Sequence, residues 1–179
     1  MSNLGIKEIK IPSNIKLTFN KNLLDMKSNF GEISYKINNK FILELTKKNS
    51  IKFYPKEKKM KNINCIWGTE YSLLKNNING LSKGYSKTLE LIGVGFKTKL
   101  NQNKLIFKLG YSHEINYEIP SHVIIKCPKQ NKVIIFGINK QKVNEIVSEI
   151  QFLKKIDPYK GKGILLENTK LKLKEGKKK

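Results

Sequence analysis

The chain has 179 residues and a formal net charge of +22, from 36 basic and 14 acidic side chains. Such a charge disfavours a compact state unless a polyanion neutralises it, so the partner is expected to be nucleic acid or an anionic membrane surface. No apolar run approaches the roughly 20 residues of a membrane span, and the basic residues do not follow one amphipathic helix. Nucleic acid is therefore favoured, and the 39% hydrophobic content excludes a disordered chain.

The basic residues are all lysine, and the sequence contains neither arginine nor alanine. Protein physics gives no reason to exclude alanine, so we attribute the bias to a coding sequence very rich in A and T. Lysine is a point charge without the planar fork of arginine, so recognition is expected to depend on phosphates more than on base edges.

Short strands fill the first part of the chain. Hydrophobic alternation predicts strands within 7–19, 23–27, 33–37, 41–45 and 51–54, separated by polar turns. A lysine-rich segment from Lys47 to Lys61, with a net charge of +6, is predicted to be a basic loop. Apolar residues then fall at helical spacing from Ile63 to Ile78, and Asn62 or Asn64 is positioned to cap that helix.

The stretch from Asn79 to Gly84 contains two glycines and small polar residues, which is typical of a domain boundary. It predicts an N-terminal α+β domain over 1–82 and a C-terminal α+β domain over 83–179, which carries an RNA-binding loop and a lysine-rich tail. In the second part, strands are predicted within 87–91, 94–100, 105–109, 115–119, 123–127 and 133–136. A helix comes next, capped by Asn139, with an apolar stripe from Val143 to Leu153.

The two halves contain a similar pattern at a fixed offset. Glu32-Ile33-x-Tyr35-x-Ile37 recurs as Glu114-Ile115-x-Tyr117-x-Ile119, a shift of 82 positions. The predicted fold class is α+β, with two tandem similar domains, each a small and mostly antiparallel sheet packed against one helix, and a basic C-terminal tail. Chance recurrence in an isoleucine-rich and lysine-rich chain is the alternative.

No catalytic or metal-binding arrangement is present in the sequence. Cys65 and Cys127 are 62 positions apart and are interpreted as small core residues. His113 and His122 have no nucleophile or paired carboxylate at a catalytic spacing. Gly93-Val94-Gly95 lacks the third glycine of a dinucleotide fingerprint. We therefore predict no enzyme activity, no cofactor and no metal.

The stretch from Asp157 to Ile164 combines features that suit a polyanion. Pro158 ends the preceding helix, two glycines alternate with Lys160 and Lys162, and Tyr159 provides a ring with a hydroxyl. A solvated exit loop is the alternative interpretation. The tail from Lys170 onward has a net charge of +5, from Lys170, Lys172, Lys174, Lys177, Lys178 and Lys179 against Glu175.

The segment Tyr159-Lys160-Gly161-Lys162-Gly163-Ile164 resembles the C-terminal signature of the universal L-six family of large ribosomal subunit proteins. The resemblance covers about residues 78–179, and its further blocks occur in family order: Ser82-Lys83-Gly84-Tyr85, Leu89-Glu90-Leu91-Ile92-Gly93-Val94-Gly95-Phe96, Gly110-Tyr111-Ser112-His113 and Gly137-Ile138-Asn139-Lys140-Gln141. Residues 1–77 match more loosely. The chain departs from the family at Ile156, usually proline or serine, and at Leu165 and Leu166, usually an Arg-Tyr pair.

The resemblance implies a structural protein that binds large-subunit rRNA near the elongation-factor binding region and the stalk base. Its expected neighbours are other large-subunit proteins and, nearby, translation factors; no small-molecule substrate is expected. The loop chemistry and the resemblance together predict these rRNA-binding residues: Tyr159, Lys160, Gly161, Lys162, Gly163, Lys170, Lys172, Lys174, Lys177, Gly110, Tyr111, Ser112, His113 and Lys83.

A free-standing, sequence-tolerant RNA-binding protein or RNA chaperone is the rival function. A platform of exposed aromatic rings would favour it, whereas the aromatic residues here alternate with polar ones at predicted core-facing strand positions. The coding bias and the bacterial-type blocks together predict a mitochondrial, organelle-encoded protein; a plastid or a low-GC bacterium is the alternative. The N-terminus enters strand-like sequence without an apolar signal core.

Overall fold

The computed structural model describes residues 5–20, 22–46, 49–57 and 62–176. The chain divides into two compact units, Met1–Gly84 and Tyr85–Lys179. Helices and antiparallel sheets occur in both units, so the predicted α+β class is confirmed. Within the part of the chain that the structure describes, each unit contains two small sheets, where the sequence had suggested one.

In its described residues, the first unit has six strands and then one helix. Their bounds are β1 Ile9–Lys10, β2 Lys16–Asn20, β3 Leu23–Ser28, β4 Gly31–Lys36, β5 Phe41–Thr46, β6 Ser50–Pro55 and α1 Ile63–Lys83. The strands form two antiparallel sheets, with orders β1-β6-β5 and β2-β3-β4. Helix α1 packs on β3, β4 and β6, and the Trp67 indole donates a hydrogen bond of 3.1 Å to the Phe53 carbonyl.

Helix α1 is longer than its sequence pattern predicted. The stretch from Asn79 was predicted to link two domains, but α1 continues to Lys83 because Gly80 and Leu81 are buried on its packed face. The helix ends at Gly84, whose φ of +71° favours glycine. Asn62 occupies the N-cap position without a side-chain capping bond, and Asn64 lies inside the helix, so neither caps it as predicted.

The second unit has the same order of elements and one additional strand. Its elements are β7 Tyr85–Ile92, β8 Lys97–Asn101, β9 Lys104–Lys108, β10 Ile115–Glu118, β11 Val123–Lys129, β12 Lys132–Gly137, α2 Lys140–Leu153 and β13 Gly163–Leu166. The sheet orders are β11-β12-β7-β13 and β10-β9-β8. Asn139 caps α2 as predicted, since its side chain accepts from the backbone N–H of Gln141 and Lys142. Val94, predicted in a strand, lies in a turn before β8 with 90% of its side chain exposed.

The tandem repeat predicted from the offset of 82 is present in the topology. Strands β2-β3-β4 correspond to β8-β9-β10, and β1-β6-β5 to β7-β12-β11. The register is conserved as well, because Met26 pairs with Ile33 where Phe107 pairs with Ile115. Two positions further along β4 and β10, a tyrosine donates to a helix carboxylate: Tyr35 to Glu70, and Tyr117 to Glu149 at 2.5 Å.

Strand β13 is the main element that the sequence did not predict. Gly163 to Leu166 pair with Ile92 to Leu89, which covers the edge of β7. Ile164 and Leu165 are buried, and Leu166 packs partly buried on the core of the unit. The stretch predicted to be an RNA-binding loop therefore ends in a core strand, and the two leucines that depart from the family pattern lie in that strand.

Cys65 was predicted to be a core residue, and this was wrong. Its side chain is exposed, because it falls between the buried positions Ile63 and Trp67 on α1. Cys127 is half-buried on β11, and this burial raises the pKa of its thiol. Within the described ranges, no group of three or more His, Cys, Asp or Glu side chains is placed to hold a metal ion. No helix of this part of the chain is long and apolar enough to cross a membrane.

Candidate nucleic-acid interface

The loop between α2 and β13 is closed by its own backbone. The N–H of Asp157 donates to the carbonyl of Lys162, and the N–H of Gly161 donates to the carbonyl of Asp157, both at 2.8 Å. The Asp157 carboxylate also accepts from the N–H of Tyr159 at 2.8 Å. We call residues 157–163 the signature loop. Its hydrogen bonds hold the side chains of Tyr159, Lys160 and Lys162 in an exposed arrangement.

The charge of Asp157 is favoured by its position in this loop. The hydrogen bond from the Tyr159 N–H is the main reason that the pKa of Asp157 is below its usual value, and Lys160 and Lys162 act in the same direction. The carboxylate therefore stays ionised and organises the turn while the lysines remain free to meet an anion.

The two glycines of the signature loop are required by geometry. Gly161 has φ of +69° and is buried, and Gly163 has φ of +151°. A Cβ on Gly163 would lie 2.7 Å from the Cα of Ile156, a contact that the backbone cannot relieve by a rotamer change. These two glycines therefore allow the tight turn by which the chain passes from α2 into β13.

The basic tail meets the signature loop. The N–H of Lys174 donates to the carbonyl of Pro158 at 2.9 Å. The side chains of Leu171 and Leu173 lie against Gly161, within 3.2 to 3.8 Å of where a Cβ would stand. Lys170, Lys172 and Lys174 are exposed on this segment, which adds three cations near Lys160 and Lys162. The predicted contact Lys177, like Lys178 and Lys179, lies outside the described residues.

Gly110-Tyr111-Ser112-His113 approaches the same end of the unit. The Tyr111 hydroxyl donates to the carbonyl of Leu153, the last residue of α2, at 3.1 Å. The ammonium of Lys154 lies 4.1 Å from the centre of the Tyr111 ring, and the His113 ring stacks at 6.5 Å from it. Because the carbonyl of Lys154 accepts from the N–H of Ile164, this block is joined to the start of β13.

The turn after β7 completes the cluster. Ile92 pairs with Gly163, so the turn of residues 93–96 begins beside the end of the signature loop. The ring of Phe96 lies against both Gly93 and Gly110, which leaves no room for a Cβ on Gly93. Val94 and Lys154 were not predicted as site residues. The sequence shows that lysines follow the end of α2. It does not show that Lys154 lies close to Tyr111, because these two residues are 43 positions apart in the chain.

Lys83 is the predicted site residue that belongs to the first unit. It is the exposed last residue of α1. Ser112 is exposed within its block. In the second unit the structure brings together the signature loop, residues 170–174 of the tail and Gly110-Tyr111-Ser112-His113. These segments together carry mostly cationic side chains and two exposed tyrosines, Tyr111 and Tyr159.

Known proteins match this chain over its whole length. The model of the family described as Ribosomal protein L6 matches residues 92–166. "Large ribosomal subunit protein uL6m" of Reclinomonas americana is 43% identical over 100% of both chains. "Large ribosomal subunit protein uL6" of Hydrogenobaculum sp. is 39% identical, covering 99% of this chain and 96% of its own. The protein of the same name from Bartonella bacilliformis is 36% identical over 100% of both. On this full-length similarity, the chain belongs to the ribosomal protein L6 family.

Proposed function

We propose that the chain is a structural constituent of the large ribosomal subunit and binds large-subunit rRNA mainly through the surface around its signature loop. The observation that carries the proposal is the convergence of this loop, the basic tail and the Tyr111 block at one end of the second unit. The family is one of structural ribosomal components and not of enzymes, which agrees with the absence of catalytic spacing in the sequence.

The chemistry of this surface suits the backbone of RNA. Exposed ammonium groups neutralise phosphates and release counterions, a contribution that does not depend on base sequence. The closed loop holds the backbone of Lys160 and Lys162 in place before binding, so little backbone entropy is lost when their side chains meet phosphates. Tyr159 and Tyr111 add hydroxyls and ring faces beside the cations. The surface therefore supports positioning of rRNA rather than a reaction.

The finer location rests on the family resemblance. We infer that the protein lies near the elongation-factor binding region and the stalk base, with translation factors nearby. The similarity to a protein named uL6m supports a mitochondrial ribosome, and the similar bacterial proteins leave a bacterial ribosome as the alternative. The A+T-driven composition supports a gene carried by the organelle itself.

One observation favours the rival function, a free-standing RNA-binding protein. Contrary to the sequence-based expectation, exposed rings occur outside the strands: Tyr111, Phe152 and Tyr159 surround the end of α2, and Phe152 is 68% exposed. Such rings can stack on unpaired bases. Lysines already lie over two of them, Lys154 over Tyr111 and Lys155 over Phe152. A ring face that a lysine covers is not open for a base to stack on it. The covered rings, together with the family membership, therefore favour the ribosomal role.

Sedimentation tests the proposal. Mitochondria of the source organism are lysed at low salt, and the chain is followed through a sucrose gradient. We expect it to sediment with large-subunit rRNA, to remain bound when small subunits are removed, and to be released at high salt. Recovery at the top of the gradient, free of rRNA at every salt concentration, would contradict the proposal and favour the rival.

A further inference from the structure

A second basic site occurs on the sheet β10-β9-β8, which is a different sheet from the one that contains β13. It is a concave pocket of about 530 Å³, lined by Gly95, Lys97, Lys99, Ile106, Lys108, Glu114 and Gln130. None of these residues was predicted as a contact. The pocket contains three lysines and one carboxylate, so its net charge is positive.

The lysines of this pocket lie on one face of paired strands. Lys97 is directly opposite Lys108 on the paired strands, and Lys99 lies two positions further along on the same face of β8. Like charges directly opposite each other in a sheet are destabilising. Glu114 neutralises Lys108 at 2.8 Å, but among the described residues Lys97 and Lys99 form no ion pair.

The same sheet provides a contrast at its other end. Lys104 is opposite Asn101 and is paired with Glu118 at 3.1 Å. Here a cation of the sheet is balanced by a carboxylate of β10, much as Lys108 is balanced by Glu114. Glu114 neutralises Lys108, but no carboxylate of the described residues pairs with Lys97 or Lys99, so the charges of these two lysines remain available to a ligand with negative charge.

The walls of the pocket indicate the kind of anion. Its volume lies in the range of ligand-binding clefts and exceeds that of a single phosphate. Ile106 provides a partly buried apolar surface among the lysines, and Gln130 adds an amide to the lining. Gly95, with φ of +77° and open space around it, leaves the entrance clear. A charged chain with apolar and hydrogen-bonding parts, rather than a small inorganic ion, fits these walls.

We propose that this pocket is a second RNA-binding site, which takes a phosphodiester segment of single-stranded RNA with its phosphates at Lys97 and Lys99. The proposal rests on the function proposed above. The turn of residues 93–96 connects the pocket to the signature loop, because Ile92 pairs with Gly163 and Lys97 begins β8. One RNA strand that runs along this turn reaches both groups of lysines.

The test measures binding of the full-length protein to poly(U) over a series of salt concentrations. Each lost phosphate contact flattens the slope of log K against log[salt] by about 0.7 for single strands. We expect Lys97→Gln/Lys99→Gln to flatten the slope by about 1.4, and Lys104→Gln, on the same sheet but already paired with Glu118, to leave it nearly unchanged. The thermal midpoint of the double variant should be unchanged or higher, since a like-charge repulsion is removed.

The outcomes separate this site from the signature loop. An unchanged slope in Lys97→Gln/Lys99→Gln, with Lys160→Gln/Lys162→Gln flattening it, would overturn the second site and leave the proposed function standing. The same result would be obtained if the pocket bound an acidic protein surface instead of RNA. A lower thermal midpoint of Lys97→Gln/Lys99→Gln would contradict the proposal, because it would show that the two lysines stabilise the fold.

Discussion

The two compact units have nearly the same charge and topology, but they differ in the segment after their helix. Residues 1–84 contain sixteen lysines and six acidic residues, and residues 85–179 contain twenty and eight, for net charges of +10 and +12. In the second unit the chain continues past α2 into the signature loop, β13 and the tail. Charge alone therefore does not distinguish the units. The candidate interface depends on an extension that holds cations on a tight, glycine-dependent turn.

The largest expected effect concerns this extension. Gly163→Ala would place a Cβ 2.7 Å from the backbone of Ile156 at φ of +151°, so we expect a loss of about 3 kcal/mol in the free energy of unfolding. Gly176→Ala is the matched control, because nothing lies within 4 Å of its Cβ position. Denaturant unfolding measures both. Equal stability of the two variants would mean that β13 is not anchored through Gly163.

The next effect tests how far the two units are alike. Tyr35→Phe and Tyr117→Phe each remove a hydrogen bond to a helix glutamate. We expect losses of about 1.5 kcal/mol for Tyr35, where partly buried Glu70 is left unsatisfied, and about 0.5 kcal/mol for Tyr117, where water replaces the hydroxyl at exposed Glu149. Thermal unfolding of each variant gives the comparison. A larger loss at Tyr117 would contradict the assigned environments.

The contribution of Tyr35 to the stability of the fold is expected to depend on pH in the alkaline range. Burial, and to a smaller extent the bond to Glu70, raises the pKa of Tyr35 far above its ordinary value of 10.0. A raised folded-state pKa stabilises the fold fully below the unfolded value, and this contribution is lost as pH rises above about 10. The stability difference between the parent and Tyr35→Phe should therefore shrink above that pH. A constant difference from neutral to strongly alkaline pH would exclude the linkage.

A smaller effect is expected where the tail meets the loop. Leu173→Asn removes an apolar contact with Gly161 but leaves every lysine in place. The fold should lose less than about 0.5 kcal/mol, because Leu173 is largely exposed. RNA affinity should fall about threefold, since the tail must then be ordered on binding. Fluorescence anisotropy with labelled rRNA measures this change, and unchanged affinity would show that the tail binds independently of the loop.

Much of the fold could be predicted from local patterns. Period-two alternation located most strands, and the spacing from Val143 to Leu153 located α2, because each element buries one regular face. The errors arose where long-range contacts prevailed. The last turn of α1 is helical although it contains glycine, since Gly80 packs in the core. Strand β13 is four residues long, and it is stable because the free edge of β7 accepts its backbone.

The candidate site could be predicted only in part for the same reason. The signature loop and tail lysines lie close together in sequence, so their composition indicated an anion-binding surface. The position of Lys154 over Tyr111, the exposed turn that contains Val94, and the pairing of Lys97 with Lys108 depend on contacts between separate elements. A local sequence pattern does not predict which residues of separate elements lie close together, so these contacts could be identified only in the three-dimensional structure.

The measurement that tests the central claim most directly compares one lysine pair from each unit. Lys160→Gln/Lys162→Gln changes the signature loop, and Lys36→Gln/Lys40→Gln removes the same charge from exposed positions of the first unit. Binding is measured over a salt series with a transcript of the large-subunit rRNA of the source organism. We expect the loop variant to flatten the slope of log K against log[salt] by about 1.4 to 1.8. The first-unit variant should change it by less than about 0.5, and both should remain folded. Equal flattening by both pairs would contradict the account, because RNA would then respond to total charge and not to the extension of the second unit.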